Sequence, residues 1–210
     1  IHHRLVGSEM CIRDRFGWSD SQVGFIFSSF YLGYMLTMAL GGYLSDKFGG
    51  KRVLGWGVVL WSIFTILTPL AAHNGFFALF FIRILMGIGE GVTFPAWHSL
   101  YARWIPFNER TRAIAFTNSG VSIGTIIGYI GTQMIILAMG WEWAFYIFGI
   151  VGLVWFIFWN RNVTSYPNEH KRISAEELAY IQENAPSSEP AKKIPLRQLL
   201  VNKPFLAIVA

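Results

Sequence analysis

Residues 21–72 decide the fold, and they read SQVGFIFSSFYLGYMLTMALGGYLSDKFGGKRVLGWGVVLWSIFTILTPLAA. The stretch contains two apolar segments, about Ser21–Ser45 and Val53–Ala72, joined by a short turn with three basic residues. A helix that crosses a bilayer needs about 20 mostly apolar residues, and both segments reach that length. The sequence therefore predicts two membrane-spanning helices joined by a basic loop.

Three further segments downstream have the same character, namely about Phe76–Tyr101, Ala113–Met139 and Trp143–Trp159. The second of these contains no charged residue. Over all 210 residues, 53% are hydrophobic and only 14% are charged, against about 25% charged in an ordinary soluble domain. Five such segments in succession predict an all-α integral membrane protein, and they exclude a disordered chain or a soluble domain behind a signal peptide.

The basic residues lie on one side of the predicted membrane. Loops 46–52 and 102–112 hold three Lys or Arg each, and residues 160–203 hold seven more. The alternate loops 73–75 and 140–142 hold none, so the positive-inside rule makes the basic side cytoplasmic. The net charge of +5 therefore indicates orientation, and we expect no nucleic-acid partner. One cysteine cannot form an internal disulfide or a Cys-based zinc site.

Composition divides the chain into four parts. Residues 1–15, IHHRLVGSEMCIRDR, carry no helical stripe and are interpreted as a non-native, adapter-derived tail, with a natural polar loop as the alternative. Residues 16–160 form a partial transmembrane bundle, and 161–203 form a cytoplasmic linker. Capping-box spacing in the linker predicts a short helix at 175–184, which either lies against the protein or headgroups or is solvated. Residues 204–210 are interpreted as the start of another span.

The third span carries two ionisable residues at membrane depth, Arg83 and Glu90. Seven residues place them on nearly one helical face, separated by roughly 10 Å along the axis. An arginine keeps its charge and can grip an anion with two hydrogen bonds, and a carboxyl group away from water can carry a proton near neutral pH. The pair therefore predicts an anion-plus-proton site, with a structural polar pair as the alternative.

Weaker candidates surround this pair. His98 follows Pro95, which loosens the third span, and the histidine either relays a proton or is simply interfacial. In the first span, Tyr34 and Tyr31 lie on one face with Phe27, where a hydroxyl could meet a ligand or the rings could be core packing.

Glycines recur every fourth residue in the fourth span, which predicts close helix packing rather than a ligand site. They are Gly120, Gly124 and Gly128.

The chain lacks the sequence signals of an enzyme. It contains no G-x-S-x-G, no H-E-x-x-H and no spaced Asp/His ligand set. We therefore predict that it is not an enzyme, and that it needs no cofactor or metal.

The first cytoplasmic loop matches a known pattern. It resembles the G-x-x-x-D-[RK]-x-G-x-[RK]-[RK] loop between the second and third helices of the major facilitator superfamily, with lysine in place of the common arginine after the acid. The resemblance implies a conformational latch between two halves of a transporter, and the alternative is a loop that only sets topology. The matching residues are Gly42, Asp46, Lys47, Gly49, Lys51 and Arg52.

Three longer stretches are similar to the anion:cation symporter family within that superfamily. They are SSFYLGYMLTMALGGYLSDKFGGKRVLGWG (28–57), RILMGIGEGVTFPAWHSLYARWIPFNERTRA (83–113) and GWEWAFYIFGIVGLVWFIFW (140–159). The resemblance implies the amino-terminal bundle, equivalent to helices two to six plus the start of helix seven of a twelve-helix protein.

The resemblance also implies roles for individual residues. Arg83 would belong to the anion site, Glu90 would carry the coupling proton, and Tyr34 would face the cavity. Phe27 stands where the vesicular glutamate branch has a histidine, which argues against glutamate as the substrate.

We therefore expect half of a proton-coupled symporter that moves an organic anion, a sugar acid or similar carboxylate, by alternating access. The expected membrane is the plasma (inner) membrane. An odd number of spans and an apolar end indicate a fragment that lacks the carboxy-terminal six-helix half, and such a fragment should not transport. The alternatives are an antiporter or uniporter of the same superfamily, or a sensor that keeps the fold without transporting.

Overall fold

A computed structural model describes residues 16–185 of the chain. Five helices in that part are long and apolar enough to cross a membrane, and no strand occurs there. The predicted all-α class and the five spans are confirmed, and each span reaches about one turn or less beyond its predicted ends. The predictions for residues 1–15, 204–210 and the end of the linker lie outside the described residues. The spans are Asp20–Phe48, Gly50–Asn74, Phe76–Trp104, Arg110–Met139 and Trp141–Asn162.

Short turns separate most of the spans because a glycine stands at each turn. Gly49, Gly75 and Gly140 have φ values of 86°, 108° and 104°, which side-chain-bearing residues rarely adopt. The first span begins with a capping box, in which the Gln22 N–H donates to Ser19 Oγ and the Ser19 N–H donates to Gln22 Oε1. The chain can therefore reverse direction within one or two residues, and successive spans are antiparallel.

The first and third spans form the most extensive helix contact, and glycines make it possible. A Cβ on Gly33 would collide with the Ile84 carbonyl, and a Cβ on Gly87 would collide with the Phe30 carbonyl. Gly91 faces the backbone of the first span one turn further along. Because these positions carry no side chain, the two backbones touch directly, as in small-residue packing of membrane helices.

The other contacts arrange the spans in the order first, third, second, fifth and fourth. Gly57 and Gly89 bring the second and third spans together, and Gly149 lies against Ser62 and Ile66 where the fifth span meets the second. Two apolar clusters fill these contacts. One contains Ile26, Ala71, Ala72, Leu79 and Trp141, and the other contains Leu54, Val58 and Ala96.

The fourth span is the exception, because none of its residues is buried. It contacts the fifth span, and nothing lies within 4 Å of a Cβ placed on Gly120, Gly124 or Gly128. Within residues 16–185, no helix packs closely against these glycines, contrary to the prediction.

The linker helix, Ala175–Asn184, forms where the sequence predicts it, and Ser174 Oγ accepts the Glu177 N–H at its start (3.1 Å). The helix lies against the loop between the third and fourth spans. The Tyr180 hydroxyl donates to Glu109 (2.9 Å), and Ile181 is buried. The helix therefore contacts the protein, which is one of the open alternatives.

Gly87→Ala tests the glycine contact. The added methyl group would push the first and third spans apart, and such overpacking typically costs about 1–3 kcal/mol. We expect the thermal unfolding midpoint of the purified chain in detergent to fall by several degrees. Gly24→Ala is the matched control, since nothing lies within 4 Å of its Cβ and alanine favours a helix. Equal midpoints for the two variants would show that the contact does not limit stability.

Candidate functional site

Arg83 lies on the face of the third span that meets the first span. Its guanidinium carbon is 5.7 Å from the centre of the Phe27 ring, within the range of a cation–π interaction. The Arg83 side chain is half-buried and its Nε atom is buried. The aromatic ring of the first span therefore adjoins the charge of the third span at membrane depth.

Glu90 and Tyr34 form a second pair in the same helix contact, seven residues further along each span than Arg83 and Phe27. The Glu90 carboxylate is close enough to act electrostatically on the half-buried Tyr34 phenol. Glu90 is among the exposed residues of the third span. Tyr34 packs on Phe30, with ring centres 5.8 Å apart. An acid and a phenol therefore lie within electrostatic range of each other near the glycine contact.

The two pairs, Arg83 with Phe27 and Glu90 with Tyr34, are related by the same spacing along both spans. Phe27 and Tyr34 are seven residues apart on the first span, as Arg83 and Glu90 are on the third, and the two spans run parallel. Seven residues correspond to about 10 Å along each helix. The structure therefore brings together the predicted residues Tyr34, Arg83 and Glu90, with Phe27 as a fourth member.

Two weaker candidates stand apart from this group. Tyr31 is 62% exposed and packs on Phe30 rather than on the third span. Regular helix is interrupted at Gly91–Val92, because Pro95 has no N–H to bond the Gly91 carbonyl. His98 lies beyond this break, and its Nδ1 is hydrogen-bonded to the Phe94 carbonyl (2.8 Å) of its own helix.

The acid of the first cytoplasmic loop is bound within the same bundle. Asp46 Oδ1 is 3.6 Å from Arg103 Nη2, and Arg103 lies in the last turn of the third span, at its predicted cytoplasmic end. The Arg103 guanidinium is also 4.7 Å from the centre of the Tyr166 ring in the linker. Arg103 thus connects the loop to the linker through one ion pair and one cation–π contact.

Further contacts hold the linker start against this loop. The Lys51 ammonium donates to the Asn160 carbonyl (2.9 Å), and the Trp159 indole donates to the Lys51 carbonyl (3.1 Å). The Trp104 indole donates to the Thr164 carbonyl (3.1 Å). A Cβ on Gly49 would be only 2.5 Å from the Ser165 hydroxyl, so this glycine is needed both for its φ and for space. The loop, the third span and the linker start therefore form one connected layer on the predicted cytoplasmic side, called the cytoplasmic layer below.

The remaining members of the predicted latch are surface residues. Nothing lies within 4 Å of a Cβ placed on Gly42. The Lys47 ammonium is 5.2 Å from the centre of the Phe48 ring. Arg52 is exposed at the start of the second span. Within residues 16–185, no three His, Cys, Asp or Glu side chains are grouped to hold a metal ion.

Two site residues were not identified from the sequence. Arg103 was counted only as a positive charge, and Tyr166 was treated as part of a linker. The sequence did place Arg103 at the predicted cytoplasmic end of the third span, on the same side as Asp46, and this shared side could have indicated the ion pair. No sequence signal pointed to Tyr166, because its contact depends on how the linker folds back.

Comparison with known proteins agrees with this architecture. A family model described as Major Facilitator Superfamily matches residues 6–210. By structure, the chain is similar to the xylose transporter of E. coli in its inward open conformation, with a TM-score of 0.62 over 86% of this chain and 49% of that protein. The sequence identity is 18%, so this likeness concerns the fold.

The relatives found by sequence are named as transporters, which agrees with the prediction that the chain is not an enzyme. It is 45% identical over 194 residues to the probable anion transporter 4, chloroplastic, of Oryza sativa subsp. japonica, covering 92% of this chain and 33% of that protein. In Arabidopsis thaliana it is 43% identical to the sodium-dependent phosphate transport protein 1, chloroplastic (93% and 38% covered). It is also 43% identical to the ascorbate transporter, chloroplastic (92% and 36%). The chain thus spans between a third and two fifths of the length of these relatives.

Arg103→Gln tests the cytoplasmic layer. It removes both the ion pair to Asp46 and the contact with Tyr166, so the linker start should loosen. We expect trypsin to cleave after the exposed Lys171 and Arg172 several times faster than in the unchanged chain. Arg161→Gln is the control, because Arg161 is exposed and outside these contacts. Identical cleavage rates for both variants would contradict the role given to Arg103.

Proposed function

The chain belongs to the major facilitator superfamily, and from that premise we propose that its protein is a proton-coupled symporter of an organic anion. The chain is an integral, multi-pass membrane protein, and its relatives are named as carriers of anions. The observation that carries the proposal is the paired arrangement of Arg83 on Phe27 and Glu90 beside Tyr34. The arrangement offers a fixed positive charge and, seven residues further along the same helix, a carboxyl group that can take up a proton.

Arg83 is assigned to the substrate. A guanidinium cannot lose its proton in a protein, and its planar fork fits a carboxylate or phosphate with two hydrogen bonds. The Phe27 ring adjoins the guanidinium and leaves its positive charge in place, because a cation–π contact brings no negative charge to the site. Tyr34 can donate its hydroxyl to the same anion or to Glu90.

Glu90 is assigned to the coupling proton. Its carboxylate follows the glycines of the contact and directly precedes the break at Gly91–Val92. Protonation removes a charge at membrane depth, which lowers the cost of moving this part of the helix past its neighbours. Binding of the anion at Arg83 and protonation of Glu90 would together favour closure of two bundles around the substrate, and proton release to the cytoplasm would reset the cycle.

The cytoplasmic layer is assigned to the latch. The contacts of Arg103 with Asp46 and Tyr166 connect the third span to the first loop and to the linker. A movement of the third span would therefore displace the linker as well. We propose that the second half of the transporter, connected through the linker, opens and closes against this layer.

The class of anion and the membrane are proposed on different grounds. The ascorbate transporter among the relatives supports an organic anion, whereas the phosphate transporter keeps phosphate as the competing substrate. We propose the plasma (inner) membrane, and the chloroplastic names of the relatives make an organelle membrane the competing location. Fractionation of source-cell membranes, followed by detection of the chain with an antibody, separates the two.

Arg83→Ala should lower uptake of the best-transported anion by about 10- to 100-fold in the longest protein that contains this chain. The range corresponds to the loss of hydrogen bonds to a charged group. Arg83→Lys keeps the charge without the fork, so its uptake should lie between that of Arg83→Ala and the unchanged protein. The measurement is uptake into proteoliposomes from a panel of sugar acids, ascorbate and phosphate, with Arg161→Ala as the surface control. Full uptake by Arg83→Ala would disprove the assignment.

Glu90→Gln should separate exchange from accumulation. A glutamine cannot bind and release a proton, so a pH gradient should no longer drive accumulation, while exchange of internal for external anion should continue. His98→Gln should keep most of the accumulation, because that ring is hydrogen-bonded to its own helix. Accumulation by Glu90→Gln under a pH gradient alone would refute the proton assignment, and accumulation by the unchanged protein under a sodium gradient alone would assign the coupling to sodium.

A further inference from the structure

An apolar groove of about 400 Å³ runs along the membrane-embedded surface between the first and second spans. The third span forms its floor. The groove is separate from the Arg83–Glu90 contact, because different faces of the first and third spans line it. Its main lining residues are Leu44 and Phe48, Trp56 and Leu60, and Ile88 and Val92.

The groove exists because the first and second spans both pack on the third more than on each other. Gly33 and Gly87 draw the first span onto the third, and Gly57 and Gly89 draw the second span onto it, with a Cβ on Gly57 only 2.7 Å from the Gly89 carbonyl. The turn at Gly49 joins the two spans at one end. Beside this turn, the gap between them extends from Phe48 and Arg52 to Leu60.

The cytoplasmic mouth of the groove is positively charged. Arg52 lines the mouth, and Lys47 lies beside it over the Phe48 ring. The nearby acid, Asp46, is paired with Arg103. Neither Lys47 nor Arg52 takes part in an ion pair among residues 16–185.

The dimensions fit one leaflet of a membrane. Arg52 and Leu60 are eight residues apart, which corresponds to about 12 Å along the helix. The hydrocarbon of one leaflet is about 15 Å thick, half of the bilayer core. The cytoplasmic leaflet is also the one that carries anionic lipids. An acyl chain would therefore lie in the groove while its headgroup reaches the two basic side chains.

We propose that this groove binds an anionic phospholipid, with one acyl chain along Trp56 and Leu60 and the headgroup phosphate held by Arg52 and Lys47. The groove contains none of the Arg83–Glu90 group, although Lys47 and Arg52 belong to the loop that is assigned to the latch. The apolar part of the site would accept any acyl chain, and the charged mouth selects the headgroup.

Native mass spectrometry of the purified chain tests this proposal, with dioleoyl phosphatidylglycerol and dioleoyl phosphatidylcholine as the two probes. Their acyl chains are identical, so only the headgroup charge differs. We expect the unchanged chain to prefer phosphatidylglycerol. Arg52→Gln should lower the affinity for phosphatidylglycerol about fivefold, the effect of one basic side chain at a membrane surface, and should leave phosphatidylcholine unchanged.

Leu60→Trp tests the acyl part by filling the groove, and it should weaken binding of both lipids. Leu67→Trp is its matched control, because Leu60 and Leu67 are both 36% exposed, lie on nearly the same face of the second span, and only Leu60 lines the groove. Arg161→Gln is the control for charge. Thermal unfolding of each variant verifies that it is folded.

Three results would overturn the proposal. Equal affinity of the unchanged chain for the two lipids would remove the role of the basic mouth. Equal effects of Arg52→Gln and Arg161→Gln, or of Leu60→Trp and Leu67→Trp, would show that binding is not at this groove. A dimer mass that Leu60→Trp abolishes while lipid adducts persist would make a second copy of the chain the occupant.

Discussion

The direct backbone contact between the first and third spans is the constraint on which the rest of the bundle depends. Gly33, Gly87 and Gly91 leave no side chains between the two helices. In a membrane, where lipid is as apolar as leucine, such close packing is a principal source of helix association. The contact also fixes the register in which Arg83 meets Phe27 and Glu90 meets Tyr34. A shift of one residue would turn these side chains to other faces by about 100°.

The polar residues of the bundle form two layers with different physical roles. At membrane depth, a charge is costly, so Arg83 and Glu90 are retained where an aromatic ring or a phenol adjoins them. On the predicted cytoplasmic side, Asp46 is exposed, whereas Arg103 is mostly buried and also lies against the Tyr166 ring. The Arg103 guanidinium is therefore held by the protein on more than one side, and Asp46 is the partner that water can reach. The break at Gly91–Val92 stands between the two layers on the same span.

Sequence patterns predicted the spans well, because twenty apolar residues with charged ends have few other stable solutions. They also predicted the linker helix and the group of Tyr34, Arg83 and Glu90. The roles assigned to these residues stay predictions. Which spans pack against each other was harder to predict. Membrane helices are apolar on nearly all faces, so the sequence does not mark the face that another helix covers. The role of Gly33 and Gly87 was therefore missed, and Gly120, Gly124 and Gly128 were expected to pack where the described chain offers no partner. Arg103 and Tyr166 depend on the path of the linker, which no local pattern encodes.

The central claim is that Arg83 holds the anion at the contact between the first and third spans. The most direct measurement is an experimental structure of the longest protein containing this chain, determined with its best-transported anion bound. The claim predicts a carboxylate or phosphate oxygen about 2.7–2.9 Å from the Arg83 guanidinium, next to Phe27 and Tyr34. An anion bound elsewhere in the protein, with Arg83 still lying against Phe27, would contradict it.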